Sequence, residues 1–424
     1  MNFKWIKNAP ELATTPAREL ALNIADAGLE AIDTERVVLN SIKIHGDILH
    51  IKDEEFDLSK FKSIKVIGFG KASCVAAGAL EKVLGNKITG GAVIDISVGK
   101  CEFIENLVGT HPRPTPQNVE ATKHIVDLAT GITEKDMVIV VVSGGGSALL
   151  CYPESECEQN ARLYEKFLPT GASIQELNLV RKHLSFLKGG GLAKLFYPAT
   201  IVGLIFSDVP GGHDETVASG PTFKDESTAE YARDVLKKYG IDDKEFEFIE
   251  TPKDDRFFEK VKNVTLVSNE LALAAMRKRA EDFGLRANIV SAELYDDAKV
   301  STEKLIAGLG GYDVSLAAGE TSLKIDKKGG SGGRNLFLAV EAAKHMTPGM
   351  EFIALASDGR DNCDFAGGLV DAGTFAKIKE LNLDIDKYLG DYDAIPPLEQ
   401  TNSLIKTGPT GANISDLMIL LKKS

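Results

Sequence analysis

Seven clusters of glycine with serine, aspartate or other charged residues punctuate this 424-residue chain, most of them closing a short apolar run. They are Gly68–Ser73, Ser143–Ser147, Ser207–His213, Gly319–Ser322, Gly329–Asn335, Ser357–Asp361 and Gly408–Asn413. The runs Ile64–Ile67, Ala92–Ile96, Leu107–Val108, Met137–Val142 and Ile201–Phe206 do not alternate with polar residues, which suits strands buried on both faces. Helical patterns follow most of them. Strand and helix in alternation predict an α/β fold with a mainly parallel sheet. Such sheets bind ligands at the carboxyl ends of their strands, where the clusters lie.

The pattern divides the chain. Residues 10–42 read as helix, with Ala17, Leu20, Ala21, Ile24, Ala25, Leu29 and Ile32 on one stripe and Gly28 among them. Either domain offers this helix a packing surface. Residues 224–262 are rich in Lys, Asp and Glu and mark the junction. A second series follows at Val264–Val267, Asn288–Val290, Val314–Ala317, Phe352–Ala356 and Leu417–Leu421. Ser322–Ile325 follows Val314–Ala317 after a short turn and reads as antiparallel, so a mixed sheet is expected there. The domains are expected at 1–250 and 263–424, with glycine clusters lining the cleft between them.

Lys and Arg number 49 against 62 Asp and Glu, a net charge of −13, with no basic block. Nucleic acid and anionic membrane surfaces are therefore poor partners. No apolar run approaches the roughly 20 residues of a membrane span. MNFKWIKNAPELATT has no secretory h-region. Cys74, Cys101, Cys151, Cys157 and Cys363 are odd in number and lack C-x-x-C spacing, which predicts reduced thiols and a cytoplasmic location.

Ser143, Gly144, Gly145, Gly146 and Ser147 are the leading anion candidates. Successive glycines let amides converge as a nest, and a helix starting near Ser147 would add its positive end; a turn that binds nothing is the alternative. Lys71 follows a buried strand, where it can neutralise a phosphate or stay a solvated surface lysine. Arg334, behind a glycine-rich loop, suits a mobile anion clamp or an exposed arginine. Asp208, Glu320, Asp358, Asp361 and Asp364 stand at or near strand ends. Their oxygens suit Mg²⁺ held with nucleotide phosphates, or helix caps; Asp358 and Asp361 are the metal candidates and Asp364 reads as structural. His111 falls at a cleft rim, and His183 reads as structural. No G-x-S-x-G elbow and no G-x-G-x-x-G fingerprint is present.

The segments GFGKAS, GTHPRP, SGGGSALL, LNLVRKHLSFLKGGGLA, SDVPGGHDETVASGPTF, AAGETSLKI, GGSGGRN, ASDGRDNCDFAGGLVDA and TGPTGANISDLMILL resemble, in order from about Ile64 to Leu421, the glycerate kinase family with a C-terminal MOFRL domain. The resemblance implies a Rossmann-like three-layer N-terminal domain, a MOFRL-type domain with mixed sheet, and an active site in the cleft. It implies ATP-dependent phosphorylation of D-glycerate at the 2-hydroxyl, with Mg²⁺. The family's catalytic lysine and arginine match Lys71 and Arg334. Ser143, Gly144, Gly145, Gly146, Ser147, Asp208, Glu320 and Asn413 are the expected substrate and nucleotide contacts. The family's motif TDGxDG reads SDGRDN here, with Ser357 and Asn362 substituted but Asp358 and Asp361 kept. Lys71 and Arg334 are expected to matter little for folding, as exposed loop cations. A hydroxypyruvate reductase using NAD(P)H and a non-catalytic nucleotide or sugar-acid binder are the alternatives, and a homodimer is compatible with either.

Overall fold

The valine- and isoleucine-rich runs do form a parallel sheet. The computed structural model describes residues 3–325, 327, 329–412 and 414–423. Packing groups them into two units, residues 34–267 and residues 1–33 with 268–424.

In the 34–267 unit a three-stranded antiparallel meander follows the first helix: β1 (Ile42–His45), β2 (Ile48–Ile51) and β3 (Glu54–Asp57). These strands are four residues long and half polar, so periodicity did not reveal them. Then come β4 (Ser63–Phe69), β5 (Gly90–Asp95), β6 (Glu105–Val108), β7 (Asp136–Ser143), β8 (Thr200–Phe206) and β9 (Val261–Val267). Their order in the sheet is β6-β5-β4-β7-β8-β9, and every neighbouring pair is parallel. The chain starts in the middle at β4, runs out to one edge, returns beside β4 at β7 and runs out to the other edge. That reversal places the ends of β4 and β7 at the topological switch point, which is where such sheets take ligands. Ile67, Val138, Val140, Val142 and Ile205 are fully buried with Leu192 and Phe196. Burying each such side chain stabilises the fold by roughly 1.5–3 kcal/mol relative to exposure. Strand β9 belongs to this sheet, although the sequence pattern starts the second series with it; the acidic stretch before it is an excursion within the unit.

In the other unit, the expected helix over 10–42 is broken. Ala9–Leu12 and Pro16–Ala31 are separate helices, and Thr34–Ser41 already belongs to the 34–267 unit. Thr15 caps the second, its Oγ1 accepting from the Arg18 amide at 3.1 Å, with Pro16 as first helical residue. Helix Pro16–Ala31 packs on helix Asn269–Asp282. Gly28 permits the approach: a Cβ there would lie 2.8 Å from Met276.

The sheet here contains β10 (Ala287–Ser291), β11 (Val314–Gly319), β12 (Met350–Leu355), β13 (Gly367–Asp371), β14 (Leu404–Ile405) and β15 (Asp416–Lys422), in the order β10-β11-β15-β12-β13-β14. Only β10 and β11 are parallel. The sheet is mixed because β15 inserts between β11 and β12. Ser322–Ile325 forms no strand and makes one isolated parallel bridge at Ser322. No helix among the described residues is long and apolar enough to cross a membrane.

Candidate active site

Strands β4 and β7 end side by side, with Phe69 opposite Val142. Their loops interlock. The Lys71 amide donates to the Gly144 carbonyl at 3.0 Å, and the Ala72 amide donates to Ser143 Oγ at 3.2 Å. The contact requires glycine at position 70, where φ is 121° and a Cβ would sit 2.1 Å from Ser143 Oγ. Ser143 and the Gly144 carbonyl thus latch the lysine loop in place. The amides of Gly145, Gly146 and Ser147 donate to no protein acceptor among the described residues. The helix they open is a single turn, Gly146–Leu149. A helix dipole therefore adds little, and the free amides themselves are the anion donors.

Gly145 has φ 82°. A Cβ there would lie 3.1 Å from His111 Cδ2 and 3.4 Å from Lys71 Cγ, so both side chains pack against this residue. The Lys71 side chain has no hydrogen-bond or ion-pair partner among the described residues. The His111 ring is pushed down to about 4 by its partial burial and by the positive charges of Lys71 and Arg181, so it is neutral at pH 7. Ser147 Oγ is 2.8 Å from Ser219 Oγ. Ala218, Ser219 and Gly220 are consecutive left-handed residues, with φ 51°, 62° and 62°. Two non-glycine residues in that region store strain of roughly 1–3 kcal/mol each, a pattern that gathers at functional sites.

Arg334 opens helix Arg334–Ala343 in the other unit. It is not a loose clamp. Its Nε and Nη2 donate to the two oxygens of Asp416, the latter at 3.3 Å, and Nη2 also reaches Glu320 Oε1 at 2.9 Å. Asp416 begins β15 and its side chain is 3% exposed. Burial pushes its carboxyl up to about 6 against the pull of Arg334. Burial opposes the charge on Arg334, but the fork with Asp416 and Glu320 outweighs it and moves the guanidinium's pKa up. Asp416 is a residue that sequence reasoning passed over. The available signal was a lone carboxylate directly before the apolar run Leu417–Leu421.

The glycine loop before Arg334 is also tied down. Ser331 N donates to Asp393 Oδ1 at 2.9 Å, and the Ala394 amide donates to the Ser331 carbonyl at 2.9 Å. A Cβ at Gly333 would lie 2.3 Å from Asp361 Oδ1. That close approach lets Asp361 cap the helix: it accepts from Leu336 N at 2.8 Å and from Asn335 Nδ2 at 3.2 Å. Burial pushes the Asp361 carboxyl above its ordinary range, opposed by these donors. Asp358 makes a tight turn, accepting from Arg360 N at 2.9 Å. Asn362 has φ 56°, a conformation that asparagine tolerates and that the glycine of the family motif takes freely.

Among the described residues no group of three His, Cys, Asp or Glu is arranged to hold a metal. Asp361 is engaged as the cap of helix Arg334–Ala343, while Asp358 closes its own turn. Asp208 follows β8 and is partly buried. Asn413 lies outside the described residues.

Residues 20–250 match a family described as a domain of unknown function, DUF4147, and residues 313–416 match the MOFRL family. The chain is 34% identical to a glycerate 2-kinase of Pyrococcus horikoshii, over 96% of this chain and 98% of that one. It is 33% identical to a D-glycerate 2-kinase of Thermotoga maritima, over 95% and 97%. A protein named putative hydroxypyruvate reductase, from Agrobacterium vitis, is 30% identical over 96% and 94%. The crystal structure of a Thermotoga maritima glycerate kinase superposes with a TM-score of 0.81 at 29% identity, covering 96% of this chain and 99% of that one. With matches running nearly end to end through both the Lys71 and the Arg334 segments, the chain belongs to the MOFRL-domain glycerate 2-kinase family.

Proposed function

We propose that this protein transfers the γ-phosphoryl group of ATP to the 2-hydroxyl of D-glycerate. The observation that carries the reading is Lys71: a cation with no partner among the described residues, beside the amides of Gly145, Gly146 and Ser147 that likewise meet no protein acceptor there, at the reversal point of the parallel sheet. Phosphoryl transfer asks a protein mainly for positioning and for charge neutralisation, and this half-site offers both. The near full-length likeness to glycerate 2-kinases supports the substrate and the 2-position.

In this reading the three amides bind anionic oxygens, and Lys71 neutralises charge that grows on the transferring group. Arg334 serves the same reaction as a held cation, with Asp416 and Glu320 fixing its plane. Ser143 and Gly144 position the Lys71 loop. Asp208, Glu320 and Asn413 remain candidates for substrate contact, and Asp358 for orienting the glycerate hydroxyl. Mg²⁺ enters with ATP as part of that substrate, held by phosphates and water, as this cation prefers. The family matches, over 20–250 and 313–416, fall within the proposed sequence domains 1–250 and 263–424, while packing joins residues 1–33 to 268–424 and keeps β9 with the 34–267 unit. The five cysteines are free thiols, which supports a reducing, cytoplasmic setting.

The test is ADP release with ATP, Mg²⁺ and D-glycerate, with phosphorus NMR of the product. A 2-phosphoglycerate signal is expected. A clean 3-phosphoglycerate signal would refute the 2-position, and an inert enzyme would refute the substrate. The sheet order is also that of dinucleotide-binding folds, but Ser73 stands where their third glycine would be. NADH oxidation with hydroxypyruvate is therefore expected to be absent.

A further inference from the structure

The helix and turn over 174–190 carry a dense run of charged and polar residues, and their packing accounts for all but one of the charged side chains in RKHLSFLK. Lys182 Nζ pairs with Asp225 at 3.2 Å. His183 is fully buried, its ring nitrogens 3.1 Å from the Ile249 carbonyl and 3.0 Å from Ser227 Oγ. Lys188 is fully buried, donating to Glu156 at 2.5 Å and to the Leu150 carbonyl at 2.7 Å. Ser185 Oγ accepts from the Leu187 and Lys188 amides, both at 3.2 Å. Arg181 is the exception. Its guanidinium donates to Asn178 Oδ1 at 3.0 Å, a neutral acceptor. Among the described residues no carboxylate lies within ion-pair distance of it. Glu156 acts on it electrostatically but is spent on Lys188.

The place of Arg181 is set by a chain of hydrogen bonds into the glycine loop. Asn178 Oδ1 also accepts from Ser219 Oγ at 3.4 Å, and Ser219 Oγ is 2.8 Å from Ser147 Oγ. His111, packed against Gly145 with Lys71, feels the positive charge of both Lys71 and Arg181. Two cations that lack carboxylate partners among the described residues thus act on one neutral imidazole beside three free amides. A partly desolvated guanidinium left without an anion is costly, and folding gains nothing from keeping it. A planar fork of donors is also the side chain best matched to a carboxylate or a phosphate.

We propose that Arg181 is a second anion-binding residue of the 34–267 unit. With Lys71 and the Gly145–Ser147 amides it forms a subsite for one anionic oxygen group of a substrate. That group is a carboxylate, supplied by the hydroxy acid, or a phosphate, supplied by the nucleotide. The names of the two sources rest on the kinase reading; the subsite does not.

The experiment uses the full chain and the variants Arg181→Gln and Arg181→Lys. Titration calorimetry with D-glycerate, with MgATP and with inorganic phosphate gives dissociation constants, and steady-state kinetics gives both KM values. In Arg181→Gln one substrate's constant is expected to rise at least tenfold while the other moves less than twofold, and Arg181→Lys recovers part of the loss. A rise in the glycerate arm assigns the carboxylate; a rise in the MgATP arm assigns the phosphate. The melting temperature is expected to hold or rise, because an uncompensated cation has been removed. A melting temperature lowered together with both constants means a structural role and overturns the proposal. So do constants all within twofold of wild type. A wild-type enzyme inert to D-glycerate would sink the kinase reading alone, since phosphate binding weakened by Arg181→Gln would still report the subsite.

Discussion

The Arg334 guanidinium is forked by the buried carboxylate of Asp416, Nε to one oxygen and Nη2 to the other at 3.3 Å. A bidentate pair of this kind fixes the guanidinium plane as well as its charge. Asp416→Asn keeps the shape but removes one anion, leaving Arg334 with Glu320. The turnover number is expected to fall on the order of tenfold to a hundredfold, more than KM for either substrate changes. The wild-type rate should also fall in acid, because Asp416, pushed up to about 6 by burial, takes a proton there and the fork loosens. Asp416→Asn should lack that acid limb. A variant that keeps it, with normal turnover, would remove Asp416 from any positioning role.

The same pair revises the expected cost of losing Arg334. As an exposed loop cation it would matter little to folding, yet its removal leaves Asp416 buried without its partner. Breaking a buried pair costs roughly 3–5 kcal/mol, reduced here because Asp416 protonates readily. Arg334→Ala should therefore lower the melting temperature clearly, and Arg334→Lys less so. Equal melting of wild type and Arg334→Ala in differential scanning calorimetry would contradict the buried-pair account.

Lys71 is expected to behave in the opposite way. With no partner among the described residues, its side chain holds nothing together. Lys71→Ala should leave the melting temperature unchanged and lower turnover on the order of 10²–10³-fold, the scale of a single electrostatic stabiliser. Combined with Arg334→Ala, the loss should be smaller than the product of the two single losses, since groups serving one step are non-additive. Fully multiplicative losses would mean that the two cations act on separate steps.

The latch between the loops makes a sharper structural prediction at Gly70. A methyl group there would meet Ser143 Oγ at 2.1 Å and the Ser143 carbonyl oxygen at 2.4 Å. Neither can yield, because Ser143 ends a central strand. Gly70→Ala should force the loops apart, abolish activity and cost several kcal/mol, the range of large backbone and packing defects. Ser143→Ala, which loses one hydrogen bond to Ala72, should cost only about 1 kcal/mol. Urea melts of the two variants check the contrast.

What sequence revealed, and what it hid, follows from range. Continuous apolar runs such as Met137–Val142 are local and announce a doubly covered parallel strand. The loop after each run is local too, so Lys71 and Gly145 could be found where they stand. Asp416 and Arg181 could not be placed, because their meaning lies far away in the chain: Asp416 is defined by Arg334, and Arg181 by having no carboxylate within ion-pair distance among the described residues. Asp361 is a third case of long range: a carboxylate in a family motif suggests a metal, and only the structure adds its bond to the Leu336 amide as a helix cap. Strand β15 inserts between β11 and β12 from the far end of the sequence, so the mixed sheet was foreseen for the wrong reason.

Glu351 offers a test of the fold by pH. It lies on β12, opposite Asp371 on β13, and is 5% exposed. Its Oε2 has no hydrogen-bond partner among the described residues. Burial, with the nearby charge of Asp371, pushes its carboxyl up to about 7, while Arg18 and Lys423 pull the other way. The folded state thus holds this proton more tightly than the unfolded chain does. The favourable contribution is fully present below the unfolded value, and it is lost as pH rises through about 7. The shift corresponds to about 3 kcal/mol. Glu351→Gln cannot ionise and escapes that loss. Urea unfolding at a series of pH values should find the variant close to wild type near pH 4.5 and more stable by about 2–3 kcal/mol at pH 8. Taking the difference between the two proteins cancels the other titrating groups, so a gap that stays constant with pH would show that Glu351 is already ionised throughout, held by Arg18.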